Sequence, residues 1–263
     1  MTISRYVALG DSFTEGVGDP RPDGTMRGWA DLVAGELAKV DAVQDSKFHY
    51  ANLSIRGKLL GQIVDDQMEL ALQMAPDLIT FAAGGNDILR LGSDIASLLR
   101  LCDQVVARMV DHGIRVVLFT GANPSGHLPL GRVIRSYGDR FCSGVRDIAL
   151  KRGTDLVDMW DEAQLQDSRY WDLDRLHLNA AGHQQVAARV LRTLDIPYPV
   201  EWTEEAPALA LPEHPLLAQA EYYRGHVLPW VQRRLSGKSS GDEMGAKRPE
   251  LAPVASEVHH EAC

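Results

Sequence analysis

Five short apolar runs, each followed by a longer stretch with helical character, restrict this chain more than any other feature. Tyr6–Leu9, Phe48–Leu53, Leu78–Ala83, Ile114–Thr120 and Leu156–Met159 have the length and composition of buried strands. Between them, Trp29–Val40 and Leu59–Met74 carry a helical repeat. In a third segment Ile95, Leu98, Leu99, Cys102, Val105, Val106 and Met109 step by three and four, which lays one apolar stripe along a helix. His112-Gly113 ends that helix, with glycine free to adopt the left-handed cap. Strands that alternate with helices must be joined by crossovers, so the pattern predicts an α/β protein whose parallel sheet is covered on both faces.

In such sheets ligands bind beyond the carboxyl ends of the strands, so the residues that follow each strand carry the functional information. Gly10-Asp11-Ser12 follow the first, Ser54-Ile55-Arg56-Gly57 the second and Gly84-Gly85-Asn86-Asp87 the third; Asp174-Arg175-Leu176-His177 lie late in the chain. An unactivated serine is a poor nucleophile and needs a general base that a third group orients. Asp174 and His177, three apart in one turn, supply both: the acid holds Nδ1–H and leaves Nε2 to take the Ser12 proton. The oxyanion of the tetrahedral intermediate needs donors, and the backbone N–H of Ser12, the backbone N–H of Gly57 and the side-chain amide of Asn86 are the candidates.

Gly10-Asp11-Ser12-Phe13, Gly57, Gly85-Asn86-Asp87 and Asp174-x-x-His177 together resemble the four ordered blocks of the SGNH (GDSL-type) hydrolase superfamily. The resemblance spans residues 7 to about 183. It implies a three-layer α/β/α, flavodoxin-like fold with a five-stranded parallel sheet. It also implies a serine esterase or acyl hydrolase that needs neither metal nor organic cofactor. Ser12 would be nucleophile and first oxyanion donor, Gly57 and Asn86 the other donors, and Asp174 and His177 the rest of the triad. Asp11, Gly85 and Asp87 would support them. Phe13 stands where the family's name has leucine, and Leu178 where proline often follows the histidine.

Each residue also has a plainer reading. Ser12 is a good helix cap, Gly57 a good turn residue, Asn86-Asp87 a good Asx-turn, and His177 can be a surface residue before the Asn179 cap of a helix over Ala180–Leu194. The four blocks occurring in order favour the catalytic reading. The loop Asn123–Arg135, with His127, Tyr137 and Phe141, is expected to shape the acyl or leaving-group pocket, and Tyr170 and Trp171 to form an apolar wall or to pack. Gly16-Val17-Gly18 starts a dinucleotide-like pattern, but Arg21 breaks it. A metal site on Asp11, Asn86, Asp87 and His177 has one histidine and lacks ligand spacing.

Charge and composition narrow the partners. A net charge of −9 offers no basic face to nucleic acid, and no window reaches the roughly 18–20 apolar residues of a membrane span. The opening Met1–Gly10 lacks the apolar core of a signal peptide, and Cys102, Cys142 and Cys263 form no disulfide framework or zinc pattern. The expectation is a cytoplasmic enzyme acting on a small-molecule ester. Residues 1–195 would form the catalytic domain. Residues 196–235 would be a proline-rich arm with an amphipathic helix on Leu216, Ala220, Tyr223, Val227 and Trp230, and residues 236–263 a flexible tail. Trp202–Leu235 is also a candidate lid over the pocket. An acyltransferase or thioesterase using the same triad, or a silent binding module on the same fold, is the alternative. Neither substrate nor oligomeric state can be read from the residues.

Overall fold

The structure is a computed structural model that describes residues 3–42, 47–128, 130–207, 241 and 244–254. In chain order its elements are β1 (Arg5–Gly10), α1 (Ser12–Glu15), α2 (Gly28–Ala42), β2 (His49–Asn52), α3 (Leu60–Gln73), β3 (Leu78–Ala82) and α4 (Gly85–Ile88). There follow α5 (Ile95–Asp111), β4 (Arg115–Phe119), α6 (Gly131–Arg152), β5 (Asp155–Val157), α7 (Ala180–Thr193) and β6 (Arg248–Pro253). The five expected strands and the four expected helices that fall within the described residues are present, with ends that move by a residue or two, as ends do.

Side chains alternate across a strand, and both faces of this sheet are buried, which is why the strands read as continuous apolar runs. On β1, Tyr6 and Ala8 pack with Trp29, Val33 and Leu37 of α2 and with Val186 and Leu191 of α7. Val7 and Leu9 point the other way, against Leu60 and Ile63 of α3, Val105 and Met109 of α5, and Val145 and Ile148 of α6. The result is three layers, helix on sheet on helix.

The sheet order is β5-β4-β3-β1-β2-β6. After β1 the chain pairs on one side through β2, then returns to the other side of β1 as β3; both pairings are parallel. That reversal opens a crevice at the carboxyl ends of β1 and β3, the place where α/β sheets bind ligands. Gly10 lies opposite Ala82 in this register, so Asp11-Ser12 and Gly84–Asn86 leave neighbouring strands side by side.

The expected five-stranded parallel sheet is corrected to six strands, the sixth antiparallel to β2. β6 comes from residues read as tail, because Arg248-Pro249-Glu250-Leu251-Ala252-Pro253 has two prolines, two charges and no alternation. Proline is tolerated on an edge strand, and β6 is the edge. What places it is tertiary: Arg248 lies over the Tyr50 ring, 5.6 Å from its centroid, and the Lys247 ammonium reaches Asp31 at 3.0 Å. The second difference is α6, which starts at Gly131 inside the stretch expected to be loop. Trp202 is buried in a short helical turn against α7. The amphipathic helix, the rest of the candidate lid and Cys263 lie outside the described residues. No helix among the described residues is long and apolar enough to cross a membrane.

Candidate active site

Ser12 leaves β1 as the first residue of the single-turn α1. Asp11 caps that turn, its Oδ1 accepting from Phe13 N at 3.1 Å. The first N–H of a helix has no partner within it, and among the described residues the Ser12 N–H has no acceptor. The short turn replaces the leucine of the family's name with Phe13, which packs on Trp29, Phe119 and His183 at centroid distances of 5.5, 5.9 and 6.4 Å.

His177 arrives from the loop between β5 and α7. That loop is folded back on itself: Asp172 N donates to His177 O at 2.8 Å, and Trp171 bridges Leu178. His177 Nε2 lies 3.0 Å from Ser12 Oγ, and its Nδ1 lies 2.6 Å from Asp174 Oδ2. The other carboxylate oxygen accepts from the backbone N–H of Leu176 at 2.9 Å and of His177 at 3.0 Å. Burial pushes the Asp174 carboxyl up. The hydrogen bond and charge of His177, with those two backbone donors, outweigh it and hold the group down at about 2. The carboxylate is therefore ionised and aimed, and three side chains separated by up to 165 residues form one unbroken chain of contacts.

The other predicted residues gather around this chain to different degrees. Asn86 Nδ2 donates to Asp11 Oδ2 at 2.9 Å and to Lys58 O at 3.1 Å, so both amide hydrogens are engaged within the protein. Asp87 is buried and accepts from Leu60 N at 2.9 Å, which ties the start of α3 to the turn after β3. Gly85 begins α4 on the cavity wall. Gly57 adopts φ +77°, a left-handed turn conformation in which glycine is unstrained. Its N–H has no acceptor among the described residues, but Gly57 is not part of the cavity wall.

Asp11 is buried, and loss of hydration raises its carboxyl pKa to about 6 against the hydrogen bond from Phe13 N, the charge of His177 and the amide of Asn86; nearby Asp87 adds to the rise. The folded value lies above the ordinary 3.8, so between the two the folded protein binds more protons than the unfolded chain. The stabilising contribution is full below 3.8 and is lost as pH rises through about 6. A shift of this size corresponds to on the order of 3 kcal/mol. Denaturant midpoints of the native protein should accordingly fall more steeply across that window than those of Asp11→Asn; parallel curves would assign the loss to other groups.

Beside Ser12 and His177 opens a cavity of about 120 Å³. Its apolar lining is Ala82, Ile88, Leu89, Phe119, Phe141 and Trp160, with Trp171 and Leu176 beside His177, and Asp11, Ser12, Asn86 and His177 line it too. Thr120 also lines it, but its hydroxyl donates to Asp158 at 2.9 Å and accepts from Met159 N and Trp160 N at 2.8 and 3.0 Å. Of the pair expected to form an apolar wall or to pack, Trp171 lines the cavity and Tyr170 packs in the core, bonding Gln164 and Ala206; of the residues expected to shape the pocket, Phe141 lines it whereas Tyr137 accepts from Gly92 N at 3.2 Å. His127 lies against Trp171, ring centroids 5.2 Å apart, and burial pushes its pKa down. His183 is buried, accepts from Trp29 N on Nδ1 and faces Val17 O with Nε2, which suits a neutral structural ring. Sequence reasoning missed Trp160 and the Asp11–Asn86 contact. Trp160 follows β5 outside any periodic stretch that could have marked it, and nothing local announces the contact between two separate loops. Among the described residues no three His, Cys, Asp or Glu side chains converge to hold a metal ion.

The sequence matches the model of the GDSL-like Lipase/Acylhydrolase family over residues 8–185. No curated protein matches it by sequence. Among solved structures, the psychrotrophic esterase EstA from Pseudoalteromonas sp. superposes with a TM-score of 0.56 at 20% identity, covering 73% of this chain and 97% of that one. Axe2, an acetylxylan esterase from Geobacillus stearothermophilus, gives 0.58 at 21% identity, over 78% and 99% of the two chains. TesA gives 0.58 at 23%, over 72% and 97%. At these identities the structures establish the shared fold.

Proposed function

The chain belongs to the GDSL-like Lipase/Acylhydrolase family and is a hydrolase of carboxylic esters, and from that premise we propose that it works through an acyl-enzyme on Ser12. The observation that carries this reading is the contact chain from Ser12 Oγ to His177 Nε2 at 3.0 Å and from His177 Nδ1 to Asp174 Oδ2 at 2.6 Å. As Oγ bonds to the ester carbonyl carbon, its proton passes to Nε2 and the carbonyl oxygen becomes an oxyanion. Collapse expels the alcohol oxygen, which takes the proton from Nε2. A water then repeats the sequence on the acyl-enzyme, releasing the acid and restoring the Ser12 hydroxyl. Asp174 keeps the proton of the neutral ring on Nδ1 and stabilises the imidazolium.

For the oxyanion, the Ser12 and Gly57 N–H groups have no competing acceptor among the described residues. Asn86 joins them by releasing the amide hydrogen held by the Lys58 carbonyl, which exchanges a bond to a neutral oxygen for one to a charged oxygen, the stronger kind.

The cavity takes the acyl group. Away from Ser12, Asp11, Asn86 and His177 at its catalytic end the lining side chains are apolar except Thr120, whose hydroxyl is already bonded, so a polar substituent deep on the acyl chain would be desolvated without compensation. Its volume of about 120 Å³ is near that of an engineered cavity of about 150 Å³ that accepts benzene. Turnover on p-nitrophenyl esters from acetyl to palmitoyl is thus expected to peak at short to medium chains, about four to six carbons on that comparison. The same activity should withstand EDTA and disappear in Ser12→Ala. An optimum at palmitoyl would mean that the acyl chain lies elsewhere, and activity that is lost to EDTA but survives Ser12→Ala would refute the serine mechanism.

A further inference from the structure

We propose that the C-terminal residues 241 and 244–254, outside the stretch that carries the family's motifs, are a working part of the active site: they brace the Arg56–Gly57 peptide from behind and so position the Gly57 N–H. This rests on the acyl-enzyme reading above, in which that N–H is an oxyanion donor.

Gly241 is buried directly against the Arg56 carbonyl. A Cβ at this position would stand 2.2 Å from Arg56 O and 2.7 Å from Ile55 Cγ2. The Arg56–Gly57 peptide is trans, so its C=O and N–H point in opposite directions. Pressure on the oxygen side therefore leaves the Gly57 N–H on the side away from the strap, and that N–H has no acceptor among the described residues.

The same segment fixes what precedes the peptide. Glu15, one turn after Ser12 and buried, accepts from the Arg56 N–H at 2.8 Å and also holds the Arg56 guanidinium. Lys247 donates to the Glu15 carbonyl at 2.7 Å and to the Arg27 carbonyl, and its own N–H reaches Ser54 O at 3.4 Å. The pairing of Arg248 with Asn52 carries the support to the end of β2. On the other side of Gly57, the bonds from Asn86 to Lys58 O and from Leu60 N to Asp87 hold the loop to the turn after β3. The turn that bears Gly57 is thus clamped at both ends, and the C-terminal strap is one of the two jaws. The family match ends at residue 185, so the brace lies outside the matched stretch.

Gly241→Ala tests it in the full-length protein. The obstructing atom is backbone, so the peptide must shift. We expect kcat on the best p-nitrophenyl ester to fall about ten- to a hundredfold, short of the hundred- to thousandfold loss of a complete oxyanion donor, with KM changed little. Affinity for a trifluoromethyl ketone, whose adduct with Ser12 carries the oxyanion, should fall by the same factor. Amide exchange at Arg56, followed by NMR, should quicken as its bond to Glu15 loosens. Lys247→Met, which removes the other anchor without adding bulk, should move all three readouts in the same direction; thermal unfolding of both variants establishes that the fold persists. Unchanged kcat and analogue affinity in a folded Gly241→Ala would overturn the proposal, as would unchanged exchange at Arg56. A rise in KM alone would make the strap a general support. An unmutated protein inert to every ester would instead refute the acyl-enzyme reading, and the exchange measurement would still decide whether the strap braces the peptide.

Discussion

Ser12→Ala should lower kcat by about a millionfold, the scale seen when a serine hydrolase loses its nucleophile. The reason is geometric: Ser12 Oγ is the atom that stands 3.0 Å from the base and at the mouth of the apolar cavity. The cavity walls do not depend on the hydroxyl, so the variant should bind a short-chain carboxylic acid or a non-hydrolysable ether analogue as the native enzyme does. Measuring kcat by single turnover, and binding by calorimetry, separates the two. Residual activity within a hundredfold of native would mean that another group attacks the ester. Combining Ser12→Ala with a second triad substitution should cost little more, because the triad acts as a unit.

Asp174→Asn is expected to cost about 10⁴ in kcat, the penalty for holding the base in the wrong tautomer. One Asp174 oxygen accepts from Leu176 N and His177 N while the other faces His177 Nδ1. An asparagine that keeps its oxygen on the two backbone donors must turn its NH₂ toward Nδ1. That ring nitrogen then accepts, the proton moves to Nε2, and Ser12 faces a donor where it needs an acceptor. Ser12→Ala aside, no other single change discussed here should be as damaging, yet KM should stay near native because Asp174 does not line the cavity. Steady-state kinetics on the optimal ester provides the check; a loss of less than tenfold would show that the carboxylate is dispensable for orientation. Since Asp174 is held at about 2, the acid limb of kcat/KM at higher pH belongs to some other group of the free enzyme.

Both expectations depend on how the sheet is wound. Gly10 and Ala82 are register partners, so the Ser12 turn and the Asn86 turn begin side by side. The loop before α7 then brings His177 to the same edge. Buried residues around the site are tied by hydrogen bonds more than by bulk: Asp11 to Asn86, Glu15 to Arg56, Asp87 to Leu60. Such ties cost desolvation, which is visible in the raised pKa of Asp11, and they hold the catalytic groups in one geometry.

The apolar runs and stripes were enough to read β1 to β5 and the helices α2, α3, α5 and α7, because burial on both faces of a sheet writes itself into consecutive residues. That Ser12, His177 and Asp174 meet was readable too, since a serine nucleophile would need those residue types and the loops that hold them follow strands. β6 was not, because an edge strand buries little and needs only backbone partners; prolines and charges therefore do not prevent it, and no local pattern marks it. The same limit hid the contacts of Asn86 with Asp11 and Lys58, and the seat of Gly241 against Arg56. Each is made between segments far apart in the chain, and those with Lys58 and Arg56 run through a backbone carbonyl that every residue carries alike. Side-chain chemistry is written in the order of residues, whereas the close approach of one backbone to another arises only when the chain is packed.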